Sequence, residues 1–340
     1  MGVQLPRLAR PAPRDVASFA LLARRGGVSA DASPWDDRSL SPRRGERTGG
    51  GGFHAGSAPA ALAPHPYIHP AYAAALAAHH GAGHEALSVA AWDGAAIILR
   101  PIPGTPFRDA AGPYPLLPFD PRWNIAAGLA EIAAAGAISL VLAADPLSPP
   151  ADLAAFHHRL AYKRHHLVLG DDAPGAHHRR SIRRFAARGE VREVAPADAL
   201  DDWLRLYAAL AARRGFRGGT HDFGRSVIEA LIPLGLRAFA AMEGGATTAM
   251  GLWLRHGDTA WYHLGASDDA GREGGASHAV MDLAIRTLRA EGVTRIVLGG
   301  GLAQLGAPPC GLDRFKAGFA DAARPNWLLG AVLDEDACTR

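Results

Sequence analysis

The strongest constraint on the fold lies in the second half of the chain, where the apolar spacing changes period in a set order. Pro196 to Arg214 carries Leu200, Trp203, Leu204, Tyr207 and Leu210 as one helical stripe. A second helix is predicted over about Phe223 to Leu234. Three strand-like runs follow: Leu236 to Met242, Thr247 to Arg255 and Thr259 to Ala266. The turns Glu243-Gly244-Gly245 and His256-Gly257-Asp258 between them predict antiparallel hairpins. A loop, Ser267 to Gly275, then leads to a long helix, Ala276 to Glu291, ended by Gly292, and to a strand, Thr294 to Leu298. Helices and strands interleaved in this way predict a sheet covered by helices rather than an all-α or all-β chain.

The first half shows a weaker version of the same alternation. Leu87 to Trp92 and Ala95 to Pro101 read as strands, and the Asp93-Gly94 pair between them predicts a two-residue hairpin. After a Pro-rich connection, Pro101 to Pro121, come a helix (about Trp123 to Ala135), a strand (Ser139 to Ala144), a helix (Ala151 to Leu160) and a strand (His165 to Gly170). A basic helix, Arg179 to Gly189, and a short strand, Glu190 to Val194, complete the set. Its apolar face is expected to hold Ile182, Phe185 and Ala186. Two related units are expected, at 61–195 and 196–340. Residues 1–60, with Arg24-Arg25-Gly26-Gly27 and the run Gly49 to Gly52, bury too little apolar surface to offset ordering and are expected to form a disordered extension.

Composition narrows the function classes. The chain has 340 residues, is 48% hydrophobic, and has a formal charge of only +3, too mild an excess to mark a nucleic-acid binder. No DNA partner is expected. No stretch of about 18 apolar residues is free of charges, so no membrane insertion is expected. Two cysteines, Cys310 and Cys338, give no disulfide framework, and with no secretory-type start a cytoplasmic location is expected. Abundant Ala and Gly with almost no Lys suggest a GC-rich bacterial genome.

Four segments within 85–333 carry a family resemblance. They are Phe107-Arg108-Asp109-Ala110-Ala111-Gly112-Pro113-Tyr114-Pro115, the Arg179 to Gly189 helix, Trp261-Tyr262-His263-Leu264-Gly265-Ala266, and Leu298-Gly299-Gly300 followed by Gly311-Leu312-x-x-Phe315-Lys316-x-x-Phe319. Together they resemble the Fem/FemX-like branch of the GNAT acyltransferase superfamily, although Gly112 stands where that family has Ser. The resemblance implies an α/β (α+β) fold of tandem GNAT-like domains, with mixed, largely antiparallel sheets flanked by helices. The N-terminal domain would be the degenerate one. It also implies transfer of an aminoacyl or acyl group to an amine acceptor, a small molecule or a cell-wall precursor. No cofactor is expected to stay bound. The co-substrate would be aminoacyl-tRNA, which makes tRNA a candidate partner, or acyl-CoA. A module that binds ligand without catalysis is the third reading.

Candidate site residues follow from the chemistry of acyl transfer, which needs an aimed amine and a stabilised oxyanion. Lys316 is one of two lysines in an arginine-rich chain, the other being Lys163, and the resemblance places it in the active site beside Phe315. Tyr262 is a candidate catalytic group and Tyr114 a candidate for positioning the amine. Arg179, Arg183 and Arg184 suit phosphate groups, as guanidinium forks bind them bidentately. Arg272-Glu273-Gly274-Gly275-Ala276-Ser277 matches part of the loop with which acyl-CoA-dependent relatives cradle a pyrophosphate, so Arg272, Gly274 and Gly275 are its candidate contacts. No metal is expected: the His-x3-His pairs His65/His69 and His80/His84 sit among prolines and glycines, with no zinc-type partner motif. No Gly-x-Ser-x-Gly is present, which favours direct transfer without a covalent enzyme intermediate.

Overall fold

Among the described residues, eleven strands join in one mixed sheet, in the order β1-β2-β3-β4-β11-β5-β10-β9-β8-β7-β6. The computed structural model describes residues 64–215 and 223–339; the extension expected over 1–60 lies outside them. The strands are β1 (Glu85–Val89), β2 (Ala95–Pro101), β3 (Arg108–Ala111), β4 (Ala137–Ala143), β5 (His158–Val168), β6 (Glu190–Val194), β7 (Arg237–Glu243), β8 (Ala246–His256), β9 (Thr259–Ser267), β10 (Arg295–Gly300) and β11 (Ala322–Val332). The helices are α1 (Pro70–His80), α2 (Ile125–Ala134), α3 (Ala176–Ala186), α4 (Leu200–Arg214), α5 (Arg225–Leu231), α6 (Asp269–Gly274), α7 (Ala276–Ala290), α8 (Gly311–Ala317) and α9 (Glu335–Cys338). Among the described strands, only β3–β4 and β9–β10 are parallel pairs. The mixed, largely antiparallel sheet flanked by helices is the expected fold class. The division expected at 195/196 falls inside this sheet, where β6 pairs with β7.

Two strands hold the middle of the sheet. β11 runs antiparallel to both β4 and β5, and β5 pairs on its other edge with β10. Neither is fully legible locally. The helix expected over Ala151 to Leu160 is instead a short 3-10 turn, Leu153–Ala155, running into β5. Pairing of His158, Arg159 and Leu160 with β11 overrides the helix propensity of that Ala-containing stretch. β11 lies in a segment with no strand expectation. Also unexpected are α1 and the 3-10 turn before it, Pro66–Ile68, both capped through histidine side chains. His65 Nδ1 accepts from the Tyr67 N–H at 3.1 Å and His69 Nδ1 from the Ala71 N–H at 3.2 Å.

The Asp93-Gly94 hairpin is longer than expected. β1 and β2 close at Val89–Ala95, and a 3-10 turn, Ala90–Trp92, fills the connection and turns Trp92 into the core. There it stacks on Trp123 with ring centroids 5.9 Å apart and packs on Gly128 of α2, where an added Cβ would sit 2.0 Å from Trp92 Nε1. The Pro101 to Pro121 connection is also not all loop, since it contains β3. Gly128→Ala is expected to force this packed layer apart and to cost about 1–3 kcal/mol, typical of overpacking. Urea unfolding would show it as a lower midpoint at unchanged slope; an unchanged midpoint would refute the contact.

Candidate active site

The parallel strands β9 and β10 create the site by parting. Their pairing stops at Trp261–Val297, while β9 runs on to Ser267 and β10 continues along β5 to Gly300. The turn away is made at a bulge, with Gly299 at φ +79°, where a side chain would also press on Lys316 Nζ at 3.1 Å. A cleft of about 270 Å³ opens in the gap. Tyr262 to Gly265 form its β9 wall and Gly299 to Gly301 its β10 wall, with Lys316 and Leu312 supplied by α8.

Lys316 is only 7% exposed, and its Nζ donates to the Gly300 carbonyl at 2.7 Å. The same Nζ lies 5.6 Å from the centre of the Tyr262 ring, within range of a cation–π contact. Burial, reinforced by the like charge of Lys163, lowers its pKa to about 7, against the partial offset of Asp313 and Cys310. Both lysines of the chain therefore line one cleft. Tyr262 is held as the neutral phenol, because burial raises its pKa. Its hydroxyl occupies the space over Gly265, where an added Cβ would come within 1.6 Å. Gly265, recognised at first only as part of a motif, thus makes room for Tyr262.

Tyr114 also lines the cleft; burial pushes its hydroxyl up to about 12, and its carbonyl accepts from the Tyr72 hydroxyl at 3.0 Å. Residues that were not singled out beforehand complete the floor. His263 Nδ1 and the Tyr67 hydroxyl share a 3.2 Å hydrogen bond, and burial lowers the pKa of His263 to about 3, so the ring is neutral. His165, 5% exposed, is likewise lowered to about 3 by burial and then by Lys316 and Lys163. Trp261 closes one side, its Nε1 donating at 2.6 Å to Asp145, a carboxylate fully buried behind it.

The remaining sequence candidates lie elsewhere. Arg179, Arg183 and Arg184 are exposed on α3 and line no part of the cleft. The buried face of α3 holds His178, Ser181 and Phe185, while Ala186, expected with them, is exposed. Phe315 points away from the cleft into an aromatic group, with its ring centroid 5.0 Å from His278 and 5.5 Å from Phe319. Arg272, Gly274 and Gly275 form a third locus under α3. Arg272 pairs with Asp269 and Glu273, the Gly275 N–H bonds to the Gly271 carbonyl, and the Gly274 carbonyl accepts from Arg184 Nε at 3.3 Å. An added Cβ on Gly275 would meet the Ser181 carbonyl at 2.8 Å. No helix among the described residues is long and apolar enough to cross a membrane.

Comparison with known proteins agrees with this architecture. The family model of an acetyltransferase (GNAT) domain matches residues 176–316. FemX is similar in structure at a TM-score of 0.53 and 12% identity, over 72% of this chain and 85% of that one. L-PGS from Bacillus licheniformis reaches a TM-score of 0.55 at 12% identity, over 80% and 94%. The C-terminal domain of a putative lysylphosphatidylglycerol synthetase from Agrobacterium fabrum reaches 0.54 at 18% identity, over 78% and 89%. A search of curated protein sequences returned no match. Residues 176–316 thus match an acetyltransferase (GNAT) domain model, within a chain that shares its fold with FemX.

Proposed function

We propose that the protein transfers an aminoacyl or acyl group to an amine acceptor in the cleft at Lys316, with aminoacyl-tRNA as donor. One observation carries the reading: a buried lysine whose charged form is held at a disadvantage by burial and by Lys163. In the resting cleft the Lys316 ammonium is poorly compensated, since its bond to Gly300 uses one N–H and leaves two. When the acceptor amine attacks the donor carbonyl, the new C–N bond pushes the carbonyl electrons onto oxygen. An oxyanion formed beside Lys316 supplies the charge the ammonium lacks. That interaction strengthens only as the transition state forms, which is the condition for acceleration rather than tighter binding. Collapse of the tetrahedral species breaks the bond to the donor's leaving oxygen, which departs with the proton shed by the amine. Tyr262, neutral and beside Lys316, would relay that proton; Tyr114 lines the same cleft. The neighbours whose names describe FemX and lysylphosphatidylglycerol synthesis support this class of chemistry.

The packing under α3 supports tRNA over CoA. The glycine corner that would cradle a pyrophosphate has its Gly275 N–H bonded and its face covered by Ser181 and Arg188. Arg179, Arg183 and Arg184, outside the cleft, present an exposed basic face suited to a nucleic-acid backbone. Phe315 packs α8 in place rather than touching substrate.

The donor test is direct. The protein is incubated with mixed amines and either charged tRNA or acyl-CoA, and discharge of each donor is followed. Amine-dependent discharge of aminoacyl-tRNA alone is expected. Discharge of acyl-CoA, or protection from heat unfolding by CoA but not by tRNA, would replace the tRNA reading with the acyl-CoA one. Discharge of neither would leave a non-catalytic binding module.

A further inference from the structure

The cleft is charged with one sign. Lys163, Arg214 and Lys316 line it, and no Asp or Glu does among the described residues. Neither lysine forms an ion pair with another described residue. An acceptor that arrives as a bare ammonium meets a repulsive field, which falls steeply if the same molecule carries an anionic group.

A second bulge shows where such a group would sit. Along β5 and β11, Arg164 pairs with Pro325 and Ala161 with Trp327, so Tyr162 and Lys163 together face the single residue Asn326. The irregularity sends the Lys163 N–H to a side chain instead of a main-chain carbonyl: it donates to Asn326 Oδ1 at 3.0 Å. Asn326 is 2% exposed and lines the cleft, as does Lys163. Because a backbone N–H fixes Oδ1 as the accepting end, the N–H2 is the end available to a ligand. Lys163 Nζ stands 4.8 Å from the centre of its neighbour's ring, Tyr162, which steadies the cation without neutralising it. A neutral N–H2 donor and an ammonium, adjacent on two strands and facing a cleft without carboxylates, form a pair of donors for one oxyanion.

Building on the transferase reading, we propose that the Lys163–Asn326 bulge is an oxyanion subsite, which holds a carboxylate or phosphate of the amine acceptor while Lys316 acts at the reacting carbonyl. The acceptor is then an anionic amine, an amino acid or an amino phosphate, and not a polyamine.

Binding tests this without any donor. O-phosphoethanolamine, β-alanine and putrescine present an amine with a phosphate, a carboxylate or neither, and each is titrated into the full chain by calorimetry. At least one of the two anionic amines is expected to bind about tenfold or more tighter than putrescine, and which one does identifies the group the subsite takes. Lys163→Met and Asn326→Leu are expected to remove that preference, and Lys163→Arg to keep most of it. Asn326→Asp keeps the oxygen that accepts from the Lys163 N–H but adds a negative charge, so it is expected to turn the preference toward putrescine. Arg180→Gln, on the exposed face of α3, is the control and leaves binding unchanged. Circular dichroism confirms that each variant is folded. Equal binding of putrescine and the anions by the wild type, or wild-type anion binding in both Lys163→Met and Asn326→Asp, would overturn the subsite. Anion preference lost in these variants, with no donor ever discharged, would uphold the subsite and remove the transferase reading instead.

Discussion

Lys316→Met is expected to lower the rate of acyl transfer by about 10²–10³-fold, the usual loss when one oxyanion donor is removed. Methionine keeps most of the buried stem while deleting the charge, its contact with the Tyr262 ring and the bond to Gly300. The loss should fall on kcat, with KM little changed, because the proposed interaction is made in the transition state. Lys316→Arg keeps a charge but as a broad planar fork. In the buried pocket, where Nζ donates to the Gly300 carbonyl at 2.7 Å, the wider fork does not take up the same point, and only partial recovery is expected. Single-turnover discharge of whichever donor the protein consumes gives both numbers. A folded Lys316→Met protein with wild-type kcat would exclude Lys316 from the chemistry.

What made Lys316 visible in the sequence was its rarity and its setting. A lysine in an arginine-rich chain, inside Gly-Leu-x-x-Phe-Lys, stands out without coordinates. Its consequence did not. Seeing that Lys163 shares the cleft requires β5 to lie beside β10, a pairing between segments far apart in the chain. The same holds for Asn326, which reaches the cleft only because β11 inserts beside β5 with an irregular register. His165, Tyr67 and His263 read as unremarkable residues until the parting of β9 and β10 gathers them. Their buried nitrogens and hydroxyls matter through neighbours that no local pattern specifies.

The hairpins of the second half were legible for the opposite reason. β7, β8 and β9 pair with their sequence neighbours, so turn residues and period-2 spacing carry the information. The misread helix at Ala151 to Leu160 and the unexpected β11 mark the limit of that logic: both concern strands whose partners lie far along the chain. The arginines of α3 were legible as a charge cluster but not by location. A helical stripe says which residues share a face, yet not that this face lies away from the cleft, with Arg184 reaching the Gly274 carbonyl.

The depressed pKa of Lys316 also predicts how stability varies with pH, independently of any substrate. Folded, Lys316 gives up its proton near pH 7; unfolded, it does so near its ordinary value of 10.5. Between these values unfolding takes up a proton, so acidification favours the unfolded chain and stability rises with pH. The penalty is fully present below pH 7 and is relieved as pH climbs toward 10.5. Stability gains at most about 1.4 kcal/mol per pH unit, or roughly 3–4 kcal/mol across pH 7–10. His165, His166 and Tyr262, all close to Lys316, stay outside this window. Burial keeps His165 and His166 below it, their ordinary pKa already lying under 7, and burial raises Tyr262 above it. Lys316→Met is therefore expected to be more stable than the wild type at pH 7, with the gap closing as pH rises to 10. Lys163→Met, which removes the like charge that helps depress Lys316, should narrow the wild-type slope and shift its onset to higher pH. It also leaves Lys316 as the one lysine in the chain, so that amine-selective labelling mapped to that peptide reads its titration directly. Parallel stability curves for the wild type and Lys316→Met from pH 7 to 10 would mean that Lys316 holds its proton throughout. The unfavourable resting charge on which the transfer chemistry depends would then be absent.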